Sequence, residues 1–176
     1  MGGQFLNTNT EQEAYVYFPK ERKEILDFIT QMKIAGVVFL SGDRHHTEIL
    51  KMDLSDTAAM NRSDSSKQVK EKKKKKSKTV EKTSNTESNE DAETEAPHGK
   101  VYYELTCSPM TSKGSNVLKT KEATNPLRIQ QTLVAEPNFC QLTVSGAKGN
   151  RNLLIKCYNT KGELKWEFTI NQQELE

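Results

Sequence analysis

At 176 residues the chain is long enough for one compact domain, yet only 34% of it is hydrophobic and 28% is charged, a lean supply of core for that length. A formal net charge of +2 sets up no strong overall field for a polyanion, and no apolar run approaches the roughly twenty residues that a bilayer-crossing helix needs. Three cysteines, Cys107, Cys140 and Cys157, have neither CxxC nor any other zinc-ligand spacing, and Met1-Gly2-Gly3-Gln4-Phe5-Leu6 lacks the basic start and apolar stretch of a secretory signal.

The chain divides into three stretches, 1–54, 55–99 and 100–176. In the first, Lys20 to Lys33 reads as an amphipathic helix with Ile25, Leu26, Phe28, Ile29 and Met32 as its apolar stripe. Pro19 stands where a first helical turn tolerates it, and Gly36 follows as a breaker. Val37-Val38-Phe39-Leu40 is a short unbroken apolar run rich in β-branching, which suits a strand covered on both faces in an α/β sheet. Ser41-Gly42-Asp43-Arg44-His45-His46 comes directly after it. A strand followed by a glycine and clustered polar groups is where α/β proteins often place chemistry.

The second stretch is expected to be disordered. Lysines run unbroken from Lys72 to Lys76, and an acidic Ser/Thr/Asn-rich segment follows from Thr83 to Glu95. Ordering such a segment costs about 1–2 kcal/mol of backbone entropy per residue with no core to offset it. The lysine run reads either as a patch for nucleic acid, anionic lipid or nuclear import, or as the basic half of a solvated polyampholyte loop.

Pattern returns in the third stretch. Val101 to Leu105 reads as a strand entering the loop Thr106-Cys107-Ser108-Pro109. Leu164, Trp166, Phe168 and Ile170 alternate with Lys165, Glu167 and Thr169, the period of a half-buried strand. Leu153, Ile155 and Cys157 alternate likewise, with Asn159-Thr160-Lys161-Gly162 as the intervening turn, and Phe139 to Val144 supplies a third strand. The C-terminus is thus expected to be an antiparallel meander. Cys140 and Cys157 share inward phases of neighbouring strands, as packed thiols or as a disulfide, and Trp166 reads as a core residue.

Candidate chemistry concentrates at Ser41 to His46. Asp43 offers a hard oxygen and His45 a borderline nitrogen, a donor mixture that suits manganese, iron, zinc or, through the carboxylate, calcium. The competing reading has Asp43 capping a short helix over His46 to Met52, with both histidines exposed on its first turn.

Val37 to His45, a strand ending in Gly-Asp-x-His, resembles the last metal-binding motif of alkaline phosphatase D-like proteins, members of the calcineurin-like metallophosphoesterases, where the same place usually reads Gly-His-x-His. Tyr17-Phe18-Pro19-Lys20-Glu21-Arg22 and the helix after it are similar to the segment that precedes that motif. Tyr103 to Ser112 resembles the family's D-L-T-S-S-P-L-T-S strand and loop, with Cys107 in place of a serine, and Asn125-Pro126-Leu127-Arg128 and Leu142-Thr143-Val144 fit its continuation.

The resemblance implies an α/β fold, part of the calcineurin-like metallophosphoesterase sandwich with a C-terminal antiparallel meander. It implies two divalent or mixed-valence metal ions (Ca, Fe, Mn or Zn), with Asp43 binding one and His45 the other, and a metal-bridging hydroxide that attacks a phosphate mono- or diester. Arg44 and His46 are expected to support the ligands or to face the substrate. The family's earlier ligand motifs do not occur before Val37. Met1 is therefore expected to be an internal methionine of a longer protein, or a start created by truncation, and the N-terminal part of the catalytic domain a missing partner without which the chain is inactive. The resemblance also suggests a secreted or periplasmic location for the parent. The alternative is a non-catalytic binding protein whose lysine run engages nucleic acid or anionic surfaces.

Overall fold

The computed structural model describes residues 2–9, 12–54 and 101–176. The chain divides into two compact units, Met1–Met52 with Val101–Glu176, and Asp53–Lys100. Only Asp53 and Leu54 of the second unit lie among the described residues, so the disorder expected for 55–99 and the lysine run fall outside them.

Helix α1 spans Pro19–Gln31, with Pro19 in its first turn. It stops before Gly36 is reached. Lys33 takes the left-handed conformation (φ 51°), the Ile34 N–H reaches the Ile29 carbonyl at 2.9 Å and the Lys33 N–H reaches that of Thr30 at 3.1 Å. This is a Schellman ending in which a lysine stands where glycine is usual. Of the expected stripe only Ile29 is buried, and Phe28 and Met32 are 57% and 61% exposed.

Strands β1 (Val38–Ser41), β2 (Glu48–Asp53) and β3 (Val101–Thr106) form one three-stranded sheet in the order β1-β3-β2. β1 runs parallel to β3, in register from Val38 opposite Tyr103 to Ser41 opposite Thr106. Phe39 is buried and stacks on Phe5 at 4.4 Å between ring centroids, but Leu40 is 51% exposed. Among the described residues β1 is therefore covered on one face, not both as its apolar run suggests. β2 replaces the helix that Asp43 was read as capping. Its Ile49, Leu50 and Met52 are buried, and residues 127–134 lie along it through paired bonds between Thr47 and Val134 and through Ile129 N–H to Ile49 O at 2.9 Å.

The expected meander is present. β4 (Asn138–Ser145), β5 (Asn152–Asn159) and β6 (Leu164–Asn171) form an antiparallel sheet in that order. Asn159 organises the β5–β6 turn, its Oδ1 accepting from the Lys161 and Glu163 N–H groups at 3.0 Å each, while Gly162 supplies the left-handed residue (φ 79°). Trp166 and Ile170 point inward as the alternation requires, whereas Leu164, at the strand's start, is 49% exposed.

The core joins the two sheets. Ile49, Tyr103, Leu105 and Val134 pack in one cluster with Ile155, Cys157, Trp166 and Ile170. Burying each large side chain contributes about 1.5–3 kcal/mol, so this cluster fixes where the loops leaving β1 and β3 meet. No helix among the described residues is long and apolar enough to cross a membrane.

Candidate functional site

The segment Ser41–His46 leaves the carboxyl end of β1, and its backbone alternates in an unusual way. Asp43 and His45 have φ of 62° and 57°, the left-handed region that non-glycine residues seldom adopt. Their side chains are exposed, while Arg44 and His46 are 3% and 1% exposed. The zigzag thus separates one pair facing solvent from one pair facing the core.

The loop that follows β3 holds this conformation. The Ser108 hydroxyl accepts from the His45 N–H at 3.2 Å, the Lys113 carbonyl lies 2.9 Å from His45 Nδ1, and the Ser115 N–H donates to the His45 carbonyl at 2.6 Å. Cys107 N–H donates to the Ser41 carbonyl at 3.1 Å. Thr47 and Asn138 fix the bracing loop in turn: the Ser108 N–H donates to Thr47 Oγ1 at 3.0 Å, and the Asn138 N–H to the Pro109 carbonyl at 2.8 Å. Gly114 is required here by space, because a Cβ would fall 1.7 Å from the Ala135 carbonyl oxygen. The two segments that carry the family resemblance, Val37–His45 and Tyr103–Ser112, are therefore neighbours in space.

Arg44 and His46, expected to support the ligands or to face the substrate, lie in the interior. Arg44 pairs with Glu122, and His46 Nε2 sits 3.2 Å from Glu48 Oε1. Glu48 also pairs with Arg128 and accepts from Gln4 Nε2 at 2.6 Å. Asn7 Nδ2 donates to Gln4 Oε1 at 2.6 Å and to Glu122, and Asn125 Nδ2 donates to Asn7 Oδ1 at 3.2 Å. Every one of these residues is buried. Charges withdrawn from water this far are tolerated when they are paired; the ion pairs supply that here, while Arg44 Nε, His46 Nε2 and Arg128 Nη2 are buried without a hydrogen-bond partner among the described residues. Burial alone would raise the Glu48 carboxyl, but His46, Arg128 and Gln4 together hold it down at about 2.

A second carboxylate ties the N-terminal segment to β3. Glu104 accepts from the Phe5 N–H at 2.8 Å and the Leu6 N–H at 2.7 Å, while Arg22 donates to the carbonyls of the same two residues at 2.8 and 3.0 Å. Residues 4–7 form no regular strand or helix, so these side chains satisfy backbone groups that would otherwise be buried unpaired. Burial pushes the Glu104 carboxyl above its usual range, against the two backbone N–H groups that lower it.

Asp43 and His45 are suitable in type for a mixed oxygen and nitrogen metal site, but they are two donors. No group of three or more His, Cys, Asp or Glu side chains is placed to hold a metal ion among the described residues. A structural ion usually takes about four ligands, so these residues by themselves do not fit a metal pair. A cleft of about 560 Å³, lined by Gly36, Val38, Val144, Arg151, Leu153 and Leu175 among others, includes none of the Ser41–His46 loop.

Sequence patterns did not single out Gln4, Asn7, Glu48, Glu122 or Arg128 as parts of one arrangement. Only Asn125 and Arg128 carried a signal, as the ends of the Asn-Pro-Leu-Arg segment. Comparison with family models, with curated proteins and with solved structures finds no match to this chain.

Proposed function

We propose that the chain is the C-terminal portion of an alkaline phosphatase D-like phosphoesterase, contributing Asp43 and His45 to one edge of a two-metal centre that hydrolyses phosphate mono- or diesters. The observation that carries this reading is the pair of left-handed, exposed residues at the carboxyl end of a parallel strand. Non-glycine residues persist in that conformation where the surrounding structure holds them, and such strain clusters at functional sites. The braces from Ser108, Lys113 and Ser115 hold His45. The remaining ligands, and the sandwich that would complete the two sheets, belong in this reading to a preceding part of the protein.

The test is a longer protein in which the upstream ligand motifs are restored. Divalent-metal-dependent hydrolysis of a chromogenic phosphate ester, lost on Asp43→Ala and on His45→Ala while the fold is retained, is the expected result. Full metal content and turnover in His45→Ala would remove the assignment. Salt-sensitive binding of nucleic acid that disappears on deleting Lys67 to Lys82, with no hydrolysis in the longer protein, would favour the binding-protein alternative.

A further inference from the structure

The antiparallel sheet has two outer strands, and only one of them is guarded. β6 carries Lys165 and Glu167, each in an ion pair, and charges on an outer strand discourage pairing with a further chain. In the other sheet, residues 127–134 cover β2. β4 has no such protection, for neither a charge nor a proline occurs from Asn138 to Ala147. Residues 141–145 are exposed throughout, Leu142 by 41% and Val144 by 66%. An exposed, uncharged outer strand is a template on which another strand can add.

We propose that β4 is a dimerisation edge: two copies of this chain pair antiparallel through residues 141–145, about a two-fold axis at Thr143, and join their β4–β5–β6 sheets into one. The backbone sets the register. The Asn138 N–H turns away from β5 and donates to the Pro109 carbonyl at 2.8 Å. Backbone groups of alternate residues point to opposite edges of a strand, so Leu142 and Val144 turn theirs outward too. None of these outward groups has a backbone partner among the described residues. They lie symmetrically about Thr143. A copy centred there exchanges both bonds between Leu142 and the partner's Val144, and both between Val144 and the partner's Leu142. Thr143 then faces its counterpart at the closer spacing of a non-hydrogen-bonded pair, about 4.5 Å between Cα atoms. The loop after β3 already takes the outward bond of Asn138, which confines the pairing to the second half of β4.

A second copy suits this edge because the edge is complementary to itself. The opposed residues are Gln141 with Ser145, Leu142 with Val144, and Thr143 with Thr143, so no like charges meet. Pairing β4 with β6 of another copy would bring up the charged strand and leave an edge free at each end, a contact that repeats without closing. Cys140, Leu142 and Val144 share the face on which Cys157, Ile155 and Leu153 stand opposite them, and the thiols are free. On that face Val144 lines the cleft of about 560 Å³ together with Val38, Leu153 and Leu175. The partner's Leu142, set beside Val144, therefore continues the apolar wall of the cleft and shields both side chains from water. The contact is short beside the about 1,200–2,000 Å² of a standard interface, so the dimer forms reversibly. The proposal does not depend on the phosphoesterase reading.

The experiment is sedimentation velocity of the full chain from micromolar to millimolar concentration, with amide hydrogen exchange read by NMR at both ends of the series. The mean mass is expected to rise from one chain to two and to stop there. At the dimeric end the Leu142 and Val144 amides are expected to exchange on the order of tenfold more slowly, while the amide of Lys148, in the exposed turn after β4, is expected to keep its rate. Val144→Lys lies at a position 66% exposed in the single chain. It is expected to leave the fold intact and to weaken association roughly tenfold, because the two lysines stand as diagonal neighbours across the axis. A single chain at every concentration would overturn the proposal, as would a mass that grows past two. So would a dimer in which Leu142 and Val144 exchange as fast as in the single chain, or one that Val144→Lys leaves undiminished. The unsubstituted chain decides the first three of these even if Val144→Lys does not fold.

Discussion

Arg44 and Glu122, 78 positions apart in sequence, meet as an ion pair whose side chains are 2% and 0% exposed. Removing one member of such a pair leaves the other as an uncompensated charge in the interior, which costs about 3–5 kcal/mol. Arg44→Met is therefore expected to lower the unfolding free energy by that amount in urea titrations. The double variant Arg44→Met with Glu122→Leu is expected to recover most of the loss. A single-variant loss within about 0.5 kcal/mol, the range of an ordinary surface change, would mean that the pair is not structural.

Glu48 should give the acid limb of the stability profile its slope. Its folded value, about 2, lies below the 4.5 it has when unperturbed. A depressed carboxylate contributes stability that is fully present above its unfolded value and is lost as pH falls through the folded one. The window is therefore pH 4.5 down to about 2, and the full effect is on the order of 3 kcal/mol. Glu48→Gln is expected to be less stable at neutral pH, because Arg128 loses its partner, and to show a shallower decline across that window. An unchanged acid slope would show that other carboxyls set it.

Asp43 should separate stability from function. Glycine accepts the left-handed backbone without the Cβ penalty, so Asp43→Gly is expected to leave stability unchanged or raise it by up to about 1 kcal/mol. In the longer protein the same change is expected to reduce metal content and turnover. A stability loss above about 1 kcal/mol would point instead to a structural role for the carboxylate.

The two histidines should behave in opposite ways. His45 is exposed and His46 is 1% exposed beside Glu48. His45→Ala is expected to change the unfolding free energy by less than about 1 kcal/mol, whereas His46→Ala leaves a cavity in the core and removes one neighbour of Glu48 Oε1, which keeps its bond from Gln4 Nε2, and is expected to cost about 2–4 kcal/mol. In the longer protein, turnover per folded molecule is expected to fall much further for His45→Ala. Equal stability losses would contradict the inward and outward assignment of the two rings.

Replacing Ala58 to Pro97 with a short Gly/Ser linker is expected to leave the first compact unit intact. The core cluster draws every member from residues 49–170 outside that span, and loop length contributes only about 0.6 kcal/mol per doubling. Thermal unfolding monitored at Trp166 reports the core directly, since that residue is buried in the cluster. A large drop in the midpoint would mean that the span packs on the domain.

The sequence by itself determined the elements whose partners are local or whose period is clear. Helix α1, strands β1 and β3, and the β4–β5–β6 meander follow from apolar spacing, because that spacing dictates which face of an element leaves water. The adjacency of Ser41–His46 and the loop after β3 was not legible in the sequence, since nothing in either segment encodes the other.

Tertiary structure alone decided that Glu48–Asp53 extends as a strand, because β3 on one side and residues 127–134 on the other exchange backbone bonds with it. It alone also decided that Arg44 and His46 turn inward. An arginine or histidine is read as a surface residue until its partner is known, and here Arg44 meets the distant Glu122, while His46 lies beside Glu48, whose other oxygen is held by the distant Arg128. Periodicity records what each element must hide from water, but a buried charge is settled only by the residue that neutralises it, and sequence distance carries no record of that meeting.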